Sequence, residues 1–107
     1  MARYMTQFAY TTQAWGALAK NPVDRSEAIG KLAKDLGGSL VALYYTMGEY
    51  DGVVLSDLPD DTAAMAIAIA AVSPGHVKAI KTTRLYTTSE AVEAMRRAGK
   101  VGYSAPQ

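Results

Sequence analysis

The chain has no cysteine and one histidine among 107 residues. Without thiols there is no disulfide framework, no thiolate nucleophile and no zinc-thiolate site, a composition that suits a reducing compartment. The lone histidine, His76, has no second histidine or cysteine at ligand spacing, so no metal site is expected. Neither sign of charge prevails: eleven basic against ten acidic residues leave a formal charge of +1, so no summed field favours nucleic acid or anionic lipid. The opening M-A-R-Y-M-T-Q-F has no apolar signal-peptide core, and no run is long enough to span a bilayer, so a soluble, cytoplasmic chain is expected. No glycine-rich phosphate loop, paired carboxylates or nucleophile elbow is present, and Ser39, Ser56 and Ser89 lie in no catalytic motif. No cofactor is implied. A chain of this size makes one domain, assigned to residues 1–99, with 100–107 as a tail expected to fray.

What is present is strand and helix patterning around the stretch Ser39 to Leu58. It reads as two β-branched and aromatic strands folded back at Gly48-Glu49, where glycine supplies the positive φ of a two-residue type II′ turn. Upstream, Arg3 to Tyr10 alternates as a first strand, and Gln13 to Lys20 is a weak helical turn interrupted by Gly16. Asn21 as N-cap and Pro22 at the first helical position start a helix running to about Leu36, with Ile29, Leu32, Ala33 and Leu36 on one stripe. Glu27 and Lys31 form an i,i+4 pair on its outer side, and Gly37-Gly38 ends it. Downstream, Pro59-Asp60-Asp61 opens a helix from about Thr62 to Val72 with no charge on any face. Such a helix must be covered on more than one side, by the sheet and by a partner subunit or the C-terminal helix. His76 to Tyr86 reads as the last strand. Thr87 and Glu90 form a capping box for a short helix, Ala91 to Ala98, closed by Gly99.

The order strand, helix, strand, strand, helix, strand with a trailing helix describes a ferredoxin-like α+β fold, βαββαβ, with a four-stranded antiparallel sheet and both main helices on one face. The other face lacks cover within the chain. Apolar groups on it, from the Tyr4 to Phe8 set or from Val41, Leu43 and Tyr45, would mark an interface, and association of two sheets is the simplest remedy. The expected partner is a second copy of the chain, as a homodimer or a higher assembly.

The run L-Y-Y-T-M-G-E-Y-D-G-V-V-L-S-D-L-P-D-D from Leu43 to Asp61 resembles the signature of the GYD-domain family, whose glycine, tyrosine and aspartate are here Gly48, Tyr50 and Asp51. The resemblance extends from about Tyr4 to Tyr86, through K-L-A-K-D-L-G-G and the alanine-rich helix. It implies a small prokaryotic protein of the dimeric α/β-barrel type, in a family largely without an assigned activity. Gly52 departs from the bulkier strand residue expected after the aspartate, which suggests a bulge or a space beside the motif.

Each candidate site residue has a functional and a structural reading. Tyr50 and Asp51 could face a ligand; a tyrosine packed beside a hairpin and an aspartate accepting backbone amides explain them as well, and that reading is preferred. His76 is the natural general base or ligand contact, yet its place after Pro74-Gly75 fits an exposed strand start. Lys81 and Arg84 could bind an anion or merely decorate an edge. Seven tyrosines exceed the needs of so small a core, and Tyr44 and Tyr45 put one ring on each face of the sheet. The candidate ligand contacts are therefore Tyr45, Tyr50, Asp51, His76 and Arg84. Three functions follow. The first is a homo-oligomeric binding module for a small, mostly apolar molecule. The second is a cofactor-independent enzyme using His76, Tyr45 or Asp51, and the third a structural or regulatory assembly protein. The first is favoured, and enzymatic activity is not the leading expectation.

Overall fold

A computed structural model describes residues 1–107. Strand β1 (Ala2–Tyr10) is followed by α1 (Thr12–Lys20), α2 (Ser26–Asp35), β2 (Ser39–Tyr45), β3 (Gly52–Leu58), α3 (Asp61–Val72), β4 (Val77–Leu85) and α4 (Thr88–Ala98). The strands form one antiparallel sheet in the order β2-β3-β1-β4, the arrangement of a ferredoxin-like fold.

Alternation along β1 sorts the two faces. Tyr4, Thr6 and Phe8 are buried under the helices, joined by Val54, Ser56 and Leu58 of β3. The core lies where α2 and α3 meet this face: Tyr4, Ala33, Leu58, Ala63, Ala64 and Ile67 form one cluster, with Leu32 and Leu36 against it. The Tyr4 hydroxyl donates to Asp61 Oδ1 at 2.5 Å, tying β1 to the first turn of α3. That bond, more than burial, raises the phenol's pKa. The register places Met5, Gln7, Val53, Leu55, Ala42 and Tyr44 on the opposite face. The open face is thus apolar in part, but it does not carry Tyr4, Phe8, Leu43 or Tyr45, which all point toward the helices.

The backbone departs from the sequence reading in four places. Helix α1 runs unbroken through Gly16, because the Thr11 side chain caps it by accepting from the Ala14 amide. Asn21 closes α1 instead of opening α2: its N–H donates to the Ala17 carbonyl at 3.0 Å. Helix α2 then begins at Ser26, whose amide is held by the Asp24 carboxylate at 2.9 Å. On its surface Lys31 pairs with Asp35 at 3.2 Å, not with Glu27. Its end is as expected: Gly37 takes φ +85, and the Gly37 and Gly38 amides donate back to Lys34 and Ala33 in a Schellman arrangement.

The third departure is the hairpin. Gly48 does hold a positive φ of +117, yet the connection is a loop from Thr46 to Asp51, not a two-residue turn. Asp51 closes it from outside the β2 ladder. Its N–H donates to the Phe8 carbonyl of β1 at 2.8 Å, while its own carbonyl accepts from the Thr46 amide at 2.8 Å. Fourth, no bulge occurs at Gly52. The irregularity in the β2 and β3 pairing lies between Leu40 and Ala42, where Val41 is the extra residue.

Helix α3 is capped by Asp60, whose side chain accepts from the Ala63 amide at 2.9 Å. Its sheet-facing side is buried, whereas Met65, Ile69 and Val72 form an exposed stripe on the other side. The C-terminal helix does not cover that stripe. Helix α4, held at its start by the Thr87 and Glu90 capping box, buries no residue and exposes Val92 and Met95. The radius of gyration is 17.3 Å, against about 13 Å for a compact domain of this length. The excess reflects α4 standing away from the body, along a longest dimension of 58 Å.

Candidate functional site

Between the helix-facing side of the sheet and helices α2 and α3 lies a pocket of about 190 Å³, lined by 16 residues of which 12 are hydrophobic. Its position follows from side-chain size. Alanines at 28, 70 and 71 are too small to fill the space between helices and strands, and Leu43, Val54, Ile67 and Ile80 supply the apolar wall. Thr6, 6% exposed, is the polar group on the strand floor. The other polar groups, Tyr10, Arg25 and His76, gather at one end. Tyr10 pairs with Val77 at the start of β4, the Thr11 amide donates to the His76 carbonyl at 2.9 Å, and Arg25 sits just ahead of α2.

Beside this end is an aromatic cluster built on one carboxylate oxygen. Asp51 Oδ2 accepts from the Tyr10 amide at 2.8 Å and from the Trp15 indole nitrogen at 3.1 Å. Tyr10 and Trp15 meet edge to face with centroids 5.1 Å apart. Tyr45 joins them, its hydroxyl 3.2 Å from that of Tyr10, and Phe8 lies behind at 5.1 Å from the Tyr10 ring. Burial, and then the bond with Tyr45, push the Tyr10 phenol well above its ordinary pKa, while Arg25 draws it the other way. Tyr10 is therefore a neutral hydrogen-bonding group rather than a proton acceptor near neutrality.

The structure divides the residues singled out in the sequence. His76 lines the pocket. Tyr45 and Asp51 support it from behind through Tyr10 and Phe8. Asp51 does accept a backbone amide, but from β1 rather than from its own hairpin. Tyr50 lies elsewhere, with Gln7, Thr46 and Lys81 around the β2 to β3 loop; its carbonyl accepts from the Thr46 hydroxyl at 2.7 Å. Arg84 is remote from all of these. It faces the helix side opposite Tyr4, stacks on Tyr86 with 4.4 Å to the ring centroid and reaches Glu90 at 3.4 Å. Lys81 is of the other parity and opposes Gln7, so the two cations cannot share an anion. The space expected at Gly52 is occupied by the Phe8 ring, since a Cβ there would lie 2.8 Å from Phe8 Cε1.

Sequence reasoning did not find Trp15, Tyr10 or Arg25. The lone tryptophan beside a weak helix was the available signal for the first. Arg25 was hidden inside the expected helix, whereas α2 begins one residue after it.

A family model for the GYD domain matches residues 4–95. The chain belongs to the GYD-domain family. The match reaches into α4 and takes in the pocket and the aromatic cluster together. No curated protein matches the chain. Among solved structures, the GYD chain resembles MtbAldR with a TM-score of 0.57 at 12% identity, over 80% of this chain and 52% of that one. It thus spans about half the length of MtbAldR. It also resembles TTHA0845 from Thermus thermophilus, with a TM-score of 0.52 at 17% identity, over 81% of this chain and 95% of the other. These likenesses establish the ferredoxin-like fold. No helix of the GYD chain is long and apolar enough to cross a membrane.

Proposed function

We propose that this GYD-domain protein is a cytoplasmic, homo-oligomeric binding module that holds a small, mostly apolar molecule between its sheet and helices. The observation that carries the reading is the pocket itself: about 190 Å³, with 12 of its 16 lining residues hydrophobic and the Tyr10 hydroxyl, Arg25 and His76 grouped at one end. A cavity of about 150 Å³ lined by apolar side chains is large enough to take benzene, so a ring or a short branched chain fits here. A few polar groups at one end of an apolar pocket are the usual means of orienting such a ligand.

Self-association follows from two uncovered surfaces, the open sheet face with Met5, Leu55 and Tyr44 and the α3 stripe of Met65, Ile69 and Val72. Exposed apolar surface of this kind is generally covered by a partner. Catalysis is the weaker reading, because Asp51 is engaged by Tyr10 and Trp15 and no base stands free beside His76.

The test is calorimetric titration with a set of apolar fragments of ring size, on the wild type and on Ala71→Phe, whose ring would fill the pocket. Fragment binding lost in Ala71→Phe supports the reading; a wild type that binds none of them sinks it. Sedimentation at micromolar concentration checks the oligomer, and a species of only 11.4 kDa would refute it.

A further inference from the structure

We infer that the molecule held in this pocket is a small hydrophobic carboxylate, its apolar body against Leu43, Val54, Ile67 and Ile80 and its carboxylate at the end formed by Arg25, His76 and Tyr10. The inference rests on the pocket reading above and adds the chemical class of the ligand.

Three observations carry it. First, Arg25 is an arginine at the rim of a pocket that is mostly apolar, and it has no counter-charge. The ion pairs of the chain are made by Arg3, Lys31, Arg84, Arg96 and Arg97. Two carboxylates of the neighbouring segments are engaged elsewhere: Asp24 accepts from the Ser26 amide, and Asp51 from Tyr10 and Trp15. A guanidinium presents a fork of donors whose geometry matches a carboxylate bidentately. Second, the groups beside it can donate as well. The Tyr10 hydroxyl stays protonated, and an imidazole carries at least one N–H in either charge state. Three donors from three separate elements, the end of β1, the lead into α2 and the start of β4, thus converge on one end. Third, no anionic side chain lines the pocket, so nothing there repels a negative ligand or welcomes a cation.

Size limits the rest of the molecule. The volume takes a six-membered ring or a chain of similar bulk beneath the charged end.

The experiment compares two probes of the same shape, cyclohexanecarboxylate and cyclohexanecarboxamide, by calorimetric titration of the full chain at neutral pH. The expected result is that the carboxylate binds at least about tenfold more tightly than the amide, as a charge-assisted, bidentate guanidinium contact warrants. Arg25→Gln should bring the carboxylate down to the level of the amide and leave the amide unchanged, and Arg25→Lys should restore part of the difference. Arg25 is exposed and makes no side-chain hydrogen bond to the start of α2, so both variants should fold, and their melting temperatures check this. Equal binding of the two probes, or an Arg25→Gln variant that keeps the preference, overturns the inference. If both probes bind equally and Ala71→Phe abolishes both, the pocket reading survives and the carboxylate does not. If neither probe binds, both fail.

Discussion

The Phe8 ring lies on Gly52. The two residues are partners across the β1 and β3 pair, and a Cβ on Gly52 would come within 2.8 Å of Phe8 Cε1 and 2.9 Å of Cε2. The glycine that looks like a defect in a strand is the seat of the ring that backs the pocket. Gly52→Ala should therefore displace Phe8 and destabilise by about 1 to 3 kcal/mol, the usual cost of overpacking. Combining it with Phe8→Leu should cost less than the sum of the single changes, since the residues are in contact. Urea denaturation of the three variants decides it, and simple additivity would show that the ring moves aside freely.

Asp51 separates structure from chemistry. Removing its carboxylate leaves the Tyr10 amide and the Trp15 indole without an acceptor. Asp51→Ala should cost about 1 to 2 kcal/mol, whereas Asp51→Asn keeps an oxygen and should cost less. Trp15 is the only tryptophan, so its fluorescence reports the loss directly, with a red shift in Asp51→Ala. Full stability of Asp51→Ala together with loss of fragment binding would instead make the carboxylate a functional group.

Gly48 isolates backbone strain. Nothing lies within 4 Å of where its Cβ would be, and its φ is +117. Gly48→Val thus meets no clash and bears only the conformational penalty, about 1 to 3 kcal/mol for a β-branched residue. An unchanged melting temperature would mean that the loop from Thr46 to Asp51 relaxes to a negative φ.

Acid sensitivity should appear at the Arg3 and Asp57 pair, which is bidentate at 2.8 and 3.0 Å. The hydrogen bond from Arg3 holds the Asp57 carboxyl below its ordinary range. A carboxylate depressed in the folded state adds stability above its unfolded pKa, about 3.9, and that stability is lost as pH falls through the lower folded value. Wild type should therefore exceed Arg3→Met in stability at about pH 6, and the gap should close as the solution is acidified. A gap that persists to strongly acidic pH would assign it to packing of the Arg3 stem instead.

The strand order, the apolar α3 and the α2 stripe were legible because burial imposes periodicity on the residues themselves: Leu32, Ala33 and Leu36 are spaced for one face whatever covers it. The family motif was legible too, but not its use. Asp51 reads as a turn residue because Asp is common in turns, while its partners, Tyr10 and Trp15, lie 41 and 36 residues upstream and meet it only once β1 and β3 pair. The start of α2 was misread for a related reason. Asn21 and Pro22 make a good local N-terminus, but Asn21 was already committed to closing α1, a claim from the preceding helix that a window on the following one does not see. The pocket was legible only as an excess of tyrosine, since alanines at 28, 70 and 71 announce helix rather than the space they leave.

Val41, the extra residue in β2, acts at the rim of the molecule. Strands β2 and β4 are the two outer strands of the sheet, each with main-chain groups facing outward. The irregularity at Val41 breaks the first row, and exposed Lys78 and Lys81 set charge along the second. Neither rim offers a flat template for another strand. In the assembly proposed above, copies of this chain would meet with a surface to cover and no ladder to continue, a geometry that would close the assembly at small number instead of letting it grow into a fibre.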